Sequence, residues 1–276
     1  MNISYSKLKI FKECPKHFYL EYIEKTPHLV PKNEYFTLYG RLVEKFFEMY
    51  CNTWRHKTSN YMPPEEIRMK MVPLYEGIVN NSVVLWSHPM CKLGKEDIFE
   101  NAYRDVCNIM DSSNINYFLN TESEITVKLK MKDSNEINGR LDFIFHKQPE
   151  KDIVFDGKGS SKIGQFVNEN QLFFYALLYF FKFKKLPTEL GFFYYRFNTF
   201  VPVEFNKDIL NTYRAQLSLD IKNITTASKF NATPSAQTCR FCPYSPKCLE
   251  HLKEKGKRAK ASKLDLEGDG LIVFGL

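Results

Sequence analysis

The chain has 276 residues, 43% of them hydrophobic and 15% aromatic, which is enough for one elaborated domain or two small ones. It contains no run of about 18 apolar residues, so we expect no membrane span and no membrane partner. Lys7, Lys9, Lys12 and Lys16 interrupt the N-terminus, so we expect no secretory signal and predict a cytoplasmic protein. The formal net charge is +7, and residues 253–263 carry +5 of it, as expected of a polyanion-binding segment or of a solvated tail.

Helical and strand periodicities alternate along the chain in a definite order. Predicted helices lie at about residues 4–24, 35–52, 64–79, 95–111, 164–184 and 207–226. Predicted strands lie at about residues 123–131, 141–145, 152–156 and 190–197. This order predicts an α/β or α+β fold with helices on the faces of a sheet. Residues 55–120 carry no chemical motif, and we interpret them as a helical insertion that covers a site and guides a substrate.

Two features of the N-terminal helices bear on function. Pro15 should break the first helix directly after Cys14, which leaves that thiol at a helix end beside exposed backbone. In the second helix Gly40 and Glu44 are four residues apart and therefore share one face. The glycine permits a neighbouring segment to approach closely.

Residues 139–158 predict an antiparallel hairpin on which charged side chains converge. The runs LDFIF and DIVFD, rich in aromatic and β-branched residues, flank a polar turn with Pro149. Because side chains alternate between faces, Asp156 and Lys158 share one face, and Asp142 can stand beside them on the neighbouring strand. Two carboxylates and an ammonium on one patch favour a bound divalent cation such as Mg²⁺, which prefers oxygen ligands. The alternative is an exposed strand face with a salt bridge.

Gln171 and Tyr175 form a second pattern, which begins 13 residues after Lys158. They lie one helical turn apart, on a helix that we expect to cross behind the hairpin. An amide and a phenol so placed can hold a phosphate or orient Lys158 through hydrogen bonds. Phosphodiester hydrolysis uses such a set, because a cation offsets charge on the phosphate and a lysine can orient the attacking water.

The three closely spaced cysteines are the strongest local signal. Cys239, Cys242 and Cys248 lie within ten residues, and Cys14 lies far upstream. In a chain without secretory features, this spacing indicates a metal site rather than disulfides. With Cys14 as the fourth ligand, four thiolates suit a [4Fe–4S] cluster or zinc, whereas His251 would complete a compact zinc site without Cys14.

Together these motifs resemble the RecB-like branch of the PD-(D/E)XK nuclease superfamily. The resemblance is closest to iron–sulfur exonucleases related to AddB and to the small CRISPR-associated RecB-type nucleases. The shared features are, in chain order, the opening SYSKLKIFKECPKHFYLEYI, Gly40-x-x-x-Glu44, GRLD at 139–142, DGK at 156–158, Q-x-x-x-Y at 171–175 and the C-terminal cysteines. They cover about residues 4–250. Each motif is loose, but six in register are hard to obtain by chance.

The resemblance implies a restriction-endonuclease-like core with a metal-dependent DNase site. Its implied ligands for Mg²⁺ or Mn²⁺ are Glu44, Asp142, Asp156 and the Gly157 carbonyl. Its implied catalytic residues are Asp142, Asp156, Lys158, Gln171 and Tyr175. Its implied cluster ligands are Cys14, Cys239, Cys242 and Cys248, which favours iron–sulfur over zinc. Two residues depart from the pattern: Leu141 stands where proline is usual, and Glu44 stands where many relatives have histidine, which leaves the metal preference open.

The resemblance also sets the expected domain organisation. We predict a single nuclease domain over residues 1–250, followed by a basic and then acidic tail at 251–276. The cluster would join residues 1–24 to residues 236–250. Because it would close a very long loop, we interpret it as a structural brace without a redox role.

These expectations combine into one functional hypothesis with two rivals. We expect a DNA exonuclease, dependent on Mg²⁺ or Mn²⁺, that acts on single-stranded or free DNA ends and works beside proteins of repair, recombination or CRISPR adaptation. One alternative is a DNA-binding adaptor subunit with an idle nuclease site. The other is a zinc-stabilised endonuclease.

Overall fold

The computed structural model describes residues 1–30, 33–54, 62–89, 91–131, 135–164, 167–240 and 242–257. These residues form two compact units. The first consists of Met1–Tyr5 and Asn33–Lys222, and the second of Ser6–Lys32 and Asn223–Leu276. Residues 258–276 of the predicted tail lie outside the described part of the chain. The single nuclease domain expected over residues 1–250 stays a prediction.

A mixed sheet of six strands forms the centre of the first unit. Its strands are β1 Asn2–Ile3, β2 Thr121–Lys130, β3 Glu136–Gln148, β4 Lys151–Lys158, β5 Glu189–Tyr194 and β6 Thr199–Val203. They follow the order β1-β3-β4-β5-β6, and β2 also pairs with β3. The pairs β1–β3 and β4–β5 are parallel, and the other pairs are antiparallel. Helices flank this sheet, which confirms the predicted α/β (α+β), restriction-endonuclease-like class.

The helices up to residue 226 fall close to their predicted positions, whereas no helix was predicted at residues 236–240 or 249–257. They are α1 Tyr5–Glu13, α2 Pro15–Phe18, a π-helix Tyr19–Ile23, α3 Tyr35–Trp54, α4 Pro64–Asn80, α5 Lys95–Met110, α6 Glu169–Phe183, α7 Lys207–Thr226 and α8 Ala236–Arg240, and residues 249–257 are also helical. Short 3-10 turns occur at Ser113–Phe118, Tyr195–Phe197 and Ser245–Lys247. The break predicted before Pro15 is confirmed, because Cys14 is extended, with φ −159° and ψ 102°. In the described part of the chain, no helix combines the length and apolar character that crossing a membrane requires.

Three differences from the predicted elements have local causes. Helix α6 begins at Glu169 rather than at residue 164, because the Asn168 side chain accepts a hydrogen bond from the Asn170 N–H at 3.1 Å and caps the helix there. Strand β6 was not predicted, since it contains Pro202. Proline is tolerated there because β6 is an edge strand, and in the described structure it pairs with β5 alone. Strand β1 has two residues, too few to show a period.

Aromatic packing fixes α3 against one face of the sheet. The Phe47 ring of α3 stacks on Phe118 with centroids 3.9 Å apart, and Phe118 meets Phe143 edge-on. Phe143 of β3 in turn stacks on Phe155 of β4 at 5.0 Å. Helices α4 and α5 pack on α3 and share this core. Burial of such rings stabilises the fold and sets the position of α3 relative to the hairpin.

Helix α3 meets the end of β4 at a contact between two glycines. A Cβ atom on Gly159 would lie 2.7 Å from the Gly40 Cα. The Arg196 guanidinium lies 3.5 Å from the centroid of the Tyr39 ring, and its Nε donates to the Gly159 carbonyl oxygen at 3.1 Å. The close approach expected at Gly40 is confirmed, although the tighter steric constraint falls on Gly159.

We predict that Gly159→Ala lowers the free energy of unfolding by about 1–3 kcal/mol, because the new methyl group overlaps the Gly40 backbone. Gly77→Ala is the matched control, since its Cβ would meet no atom within 4 Å. That variant should be neutral or more stable by up to about 1 kcal/mol, the helix preference of alanine over glycine. Urea unfolding followed by circular dichroism measures both. Equal stability of the two variants would show that α3 does not depend on this contact.

The opposite end of the hairpin is held by the buried carboxylate of Asp152. Its oxygens accept from the Tyr179 hydroxyl and lie 2.9 Å from Lys185 Nζ and 2.6 Å from His146 Nδ1. His146 Nε2 lies 3.2 Å from a carboxylate oxygen of Glu122. Burial by itself would raise the pKa of Asp152, but the hydrogen bonds from Tyr179, Lys185 and His146 outweigh it and lower the pKa below its usual range.

A carboxyl whose pKa is lowered by folding stabilises the protein above its unfolded pKa and loses that contribution as the pH falls through its folded pKa. Asp152→Asn should therefore cost about 1–3 kcal/mol at pH 7, and the cost should shrink below about pH 4. Glu189→Gln is the control, because Glu189 forms an exposed ion pair with Lys147 at 3.6 Å that should contribute less than about 1 kcal/mol. Denaturant unfolding between pH 3 and 7 measures both, and a pH-independent cost for Asp152→Asn would contradict the assignment.

Candidate active site

The predicted site residues of the hairpin and α6 come together on one face of the sheet. Asp142 lies on β3, Asp156 and Lys158 lie on β4, and Gln171 and Tyr175 lie on α6. The β3–β4 register, in which Phe143 and Phe155 are partners, sets Asp142 opposite Asp156 one position further on. The predicted alternation of faces along β4 is confirmed. Phe155 packs in the core with α3, whereas Asp156 and Lys158 contact Gln171 of α6.

A hydrogen-bond network joins these five residues. The Gln171 amide nitrogen donates to Asp156 Oδ1 at 2.6 Å and to the Tyr175 hydroxyl at 3.2 Å. The Tyr175 hydroxyl donates to Asp142 Oδ1 at 3.3 Å, and Lys158 Nζ donates to the side-chain Oε1 of Gln171 at 3.4 Å. Gln171 and Tyr175 of α6 therefore contact both the lysine and the carboxylates of the site.

Burial and neighbouring carboxylates raise the pKa values of Asp142 and Glu44. Burial raises the pKa of Asp142 well above its usual range, and the charges of Asp156 and Glu44 raise it further. The pKa of Glu44 is raised to about 7, first by burial and then by Glu48. Carboxyl groups this close cannot all ionise without a compensating positive charge.

The oxygens of Asp156 provide a direct test of fit to a cation. The residue is 3% exposed. Although Lys158 Nζ lies 2.5 Å from its Oδ2, that oxygen accepts no well-directed hydrogen bond. A buried carboxylate oxygen in this state suits a hard divalent cation, which binds oxygen ligands.

Glu44 projects from α3, and its carboxylate faces Arg140. Glu44 Oε1 lies 3.7 Å from Arg140 Nη2, and Arg140 Nη1 lies 2.5 Å from Glu124 Oε1. Among the described residues, no three His, Cys, Asp or Glu side chains form a group that could hold a metal ion as they stand. The structure therefore does not bring Glu44 into one ligating group with Asp142 and Asp156.

A steric constraint explains why the DGK motif has glycine at its second position. A Cβ on Gly157 would lie 1.8 Å from the hydroxyl oxygen of Tyr195, so no other residue fits without displacing that ring. Sequence reasoning missed Tyr195, because no local pattern separates it from the other aromatic residues of its segment. It also missed Arg140 and Glu48, whose charges act on Glu44.

The four predicted cluster cysteines all belong to the second unit, and all are free thiols. The pKa of the Cys242 thiol is raised, mainly by burial and additionally by Cys14, Cys239 and Cys248. All four lie in the described part of the chain, and there they do not form a group that could hold a metal ion as they stand. Ordinary hydrogen bonds also join the two segments of this unit, from Lys16 N to the Asn231 carbonyl oxygen at 3.2 Å and from the Thr233 hydroxyl to the Glu13 carbonyl oxygen at 2.5 Å.

Comparison with known proteins places the chain in a family. The sequence model of the PD-(D/E)XK nuclease superfamily matches residues 2–249. A similar solved structure, described as "Crystal structure of SSO0001", is 16% identical, and the alignment covers 76% of this chain and 95% of that chain with a TM-score of 0.35. No curated protein matches the chain. The match to the family over residues 2–249 shows that the chain belongs to the PD-(D/E)XK nuclease superfamily, which implies metal-dependent hydrolysis of phosphodiester bonds in nucleic acid.

Proposed function

We propose that the protein is a DNA exonuclease that uses Mg²⁺ or Mn²⁺ and acts on single-stranded or free DNA ends. The observation that carries the proposal is the network in which Gln171 and Tyr175 connect Lys158 to Asp142 and Asp156. Such a network has a clear use in a hydrolase, because it holds a lysine and two carboxylates at one point of the sheet.

In this proposal Asp142, Asp156, Glu44 and the Gly157 carbonyl hold the divalent cation. Support comes from the raised pKa values of Asp142 and Glu44 and from the buried Asp156 oxygen that lacks a well-directed hydrogen bond. When bound, the cation supplies positive charge that offsets the charge developing on the phosphate.

Lys158 is the proposed catalytic residue. Its ammonium lies beside Asp156 and 5.2 Å from the centroid of the Phe192 ring. An ammonium group fixed in this way can orient a water molecule or stabilise negative charge in the transition state. Gln171 keeps the lysine in place by accepting its hydrogen bond, and Tyr175 supports Asp142 from the same helix.

The preference for single-stranded or free ends rests on the helical layer. Helices α4 and α5 pack on α3, which carries Glu44, and we propose that this layer admits a flexible strand more readily than a duplex. The net charge of +7 favours a polyanionic substrate. Protein partners in repair, recombination or CRISPR adaptation, and an intracellular location, belong to the same proposal.

We predict that Lys158→Ala lowers the cleavage rate by about 10²–10⁴-fold, because a positioned charge is lost from the reaction centre. Lys162→Ala, which alters an exposed lysine four residues further on, should keep full activity. The assay is digestion of 5′- and 3′-labelled single- and double-stranded DNA with Mg²⁺ or Mn²⁺. Full activity of a folded Lys158→Ala variant would refute the catalytic assignment.

The same assay separates the rival functions. Wild-type protein that binds DNA but degrades none of these substrates would be an adaptor with an idle site. Cleavage of circular DNA would indicate an endonuclease, since a circle offers no end.

We further propose that Cys14, Cys239, Cys242 and Cys248 bind a structural [4Fe–4S] cluster. Support comes from the four free thiols of the second unit, since Cys14, Cys239 and Cys248 all contribute to the raised pKa of Cys242. Four thiolates suit iron–sulfur clusters, and zinc is the alternative metal.

Anaerobically purified protein should be brown and contain iron and sulfide, and Cys14→Ser should lose the visible absorbance and unfold at a lower temperature. Cys107→Ser, at a free cysteine of α5 in the first unit, is the control and should keep the cluster. Metal analysis and thermal unfolding measure both. Zinc in place of iron, retained in Cys14→Ser but lost in His251→Ala, would instead support the compact zinc site.

A further inference from the structure

Arg196 lies beside the candidate active site with most of its hydrogen-bonding groups unused. Its Nε donates to the Gly159 carbonyl oxygen at 3.1 Å, and its guanidinium lies 3.5 Å from the centroid of the Tyr39 ring. Within the described part of the chain it forms no ion pair, and its Nη atoms have no acceptor. A guanidinium is always charged, and its planar fork of N–H groups matches the oxygens of a phosphate. An arginine fixed in this way is suited to bind an anion of that kind.

The contacts of Arg196 place it where the end of β4 meets α3. Gly159, whose carbonyl oxygen it binds, directly follows Lys158 in the chain. A Cβ on Gly159 would lie 2.7 Å from the Gly40 Cα and 3.1 Å from Cδ1 of Tyr39, so both residues of α3 reach this corner. The guanidinium is therefore one residue away from the proposed catalytic lysine along the backbone.

One turn further towards the start of α3, a large aromatic ring is exposed. Phe36, Gly40 and Glu44 are spaced four residues apart and follow one row of the helix surface. Phe36 is 54% exposed. Its ring meets the buried Tyr35 ring nearly at a right angle, with centroids 5.0 Å apart, which restrains its movement. An exposed and restrained ring can stack on a nucleobase.

The helical insertion holds this end of α3 in place. The Tyr35 hydroxyl accepts a hydrogen bond from the Leu93 N–H at 2.8 Å, and Asn33 Oδ1 accepts from the Leu85 N–H at 3.1 Å. Trp86, which is also exposed, meets the other side of the contact, with its ring centroid 5.8 Å from that of Tyr35. The ring of Phe36 thus belongs to an anchored aromatic group at the start of the helix.

We propose that Arg196 and Phe36 form a binding site for single-stranded DNA next to the cation site. The guanidinium holds a backbone phosphate, and the phenyl ring stacks on a base. Phe36 precedes Glu44 by eight residues, which is about 12 Å along a helix. Stacked nucleotides rise about 3.4 Å each, so about four nucleotides span that distance.

This site rests on the proposed function, since it takes the bound strand to be the one that reaches Lys158. It also gives a reason for the preference for single strands. In a duplex the faces of the bases are covered by the neighbouring base pairs, whereas a single strand offers them to an aromatic side chain.

The test of Arg196 is the binding of a fluorescent single-stranded oligonucleotide to the full-length protein in EDTA, measured by anisotropy at several salt concentrations. Arg196→Gln should raise the dissociation constant by about 10-fold, since a charged hydrogen bond is lost. It should also reduce the slope of log affinity against log salt by about 0.7, the value of one phosphate contact on a single strand. Arg196→Lys keeps a cation and should retain the slope.

Arg68→Gln is the matched control for the arginine. The Arg68 guanidinium also lies over a tyrosine ring, 4.9 Å from the Tyr103 centroid, but its charge is paired with Glu100. Its loss should change neither the affinity nor the slope. A merely structural role of Arg196 would leave the slope of a folded Arg196→Gln variant at the wild-type value, and that result would overturn the proposal.

An abasic strand of the same length tests Phe36. Phe36→Ala should weaken binding of the normal strand by about 5- to 100-fold, the effect of losing one stacked base, and should leave binding of the abasic strand unchanged. Phe181→Ala, which removes a ring that is 42% exposed in the last turn of α6, should affect neither strand. Because Phe36 is exposed, this comparison decides the question even where Arg196→Gln does not fold.

The site is refuted if wild-type protein binds no single-stranded DNA, or if Phe36→Ala binds both strands like the wild type or weakens both equally. Cleavage with Mg²⁺ or Mn²⁺ is measured separately on the same proteins. Wild-type protein that binds through both residues but cleaves no DNA would contradict the proposed function and leave this site standing. Cleavage that neither substitution affects, with unchanged binding, would do the reverse.

Discussion

The close approach of Asp142 and Asp156 is the constraint on which the first unit depends. Adjacent strands bring two carboxyl groups together at a buried point of the sheet, and the pKa of Asp142 is raised by burial and by Asp156 as a result. Repulsion of this kind opposes folding unless other groups hold the carboxylates. Gln171 and Lys158 bind Asp156, and Tyr175 binds Asp142, so the helix and the lysine together make the pairing tolerable. A positive charge between the aspartates would reduce this repulsion further, and the cation of the proposed function would supply it.

The remainder of the unit sets the distance between this pair and α3. On one side, Gly159 lies against Gly40 without intervening side chains, and Arg196 ties the same corner together. On the other side, the Phe47 ring links α3 to the aromatic core of the hairpin through Phe118. Both contacts act on the helix that bears Glu44. A small residue at one contact and large rings at the other thus determine how far a third carboxylate lies from the first two.

The sequence predicted those parts of the site that follow from local periodicity. The period of two placed Asp156 and Lys158 on one face of a strand, and the period of 3.6 placed Gln171 and Tyr175 on one face of a helix. Contacts between segments distant in sequence leave no such period. Gly159 is constrained by a helix about 120 residues earlier in the chain, and the Tyr195 side chain that constrains Gly157 packs on Phe47 of α3. Strand β6 was missed for a related reason, since Pro202 is compatible with a strand only at a sheet edge, and edges are properties of the assembled sheet.

The cysteines raise a separate question of how the two segments of the second unit stay together. The hydrogen bonds at Lys16 and Thr233 that join them contribute about 1 kcal/mol each. Cys14 and Cys239 are 225 residues apart. On the chain-entropy model a permanent link across so long a loop restricts the unfolded state by about 5 kcal/mol, which approaches the whole stability of many domains. A cluster held by these four thiols would therefore outweigh the hydrogen bonds between the segments, and its effect would come from chain closure without any electron transfer.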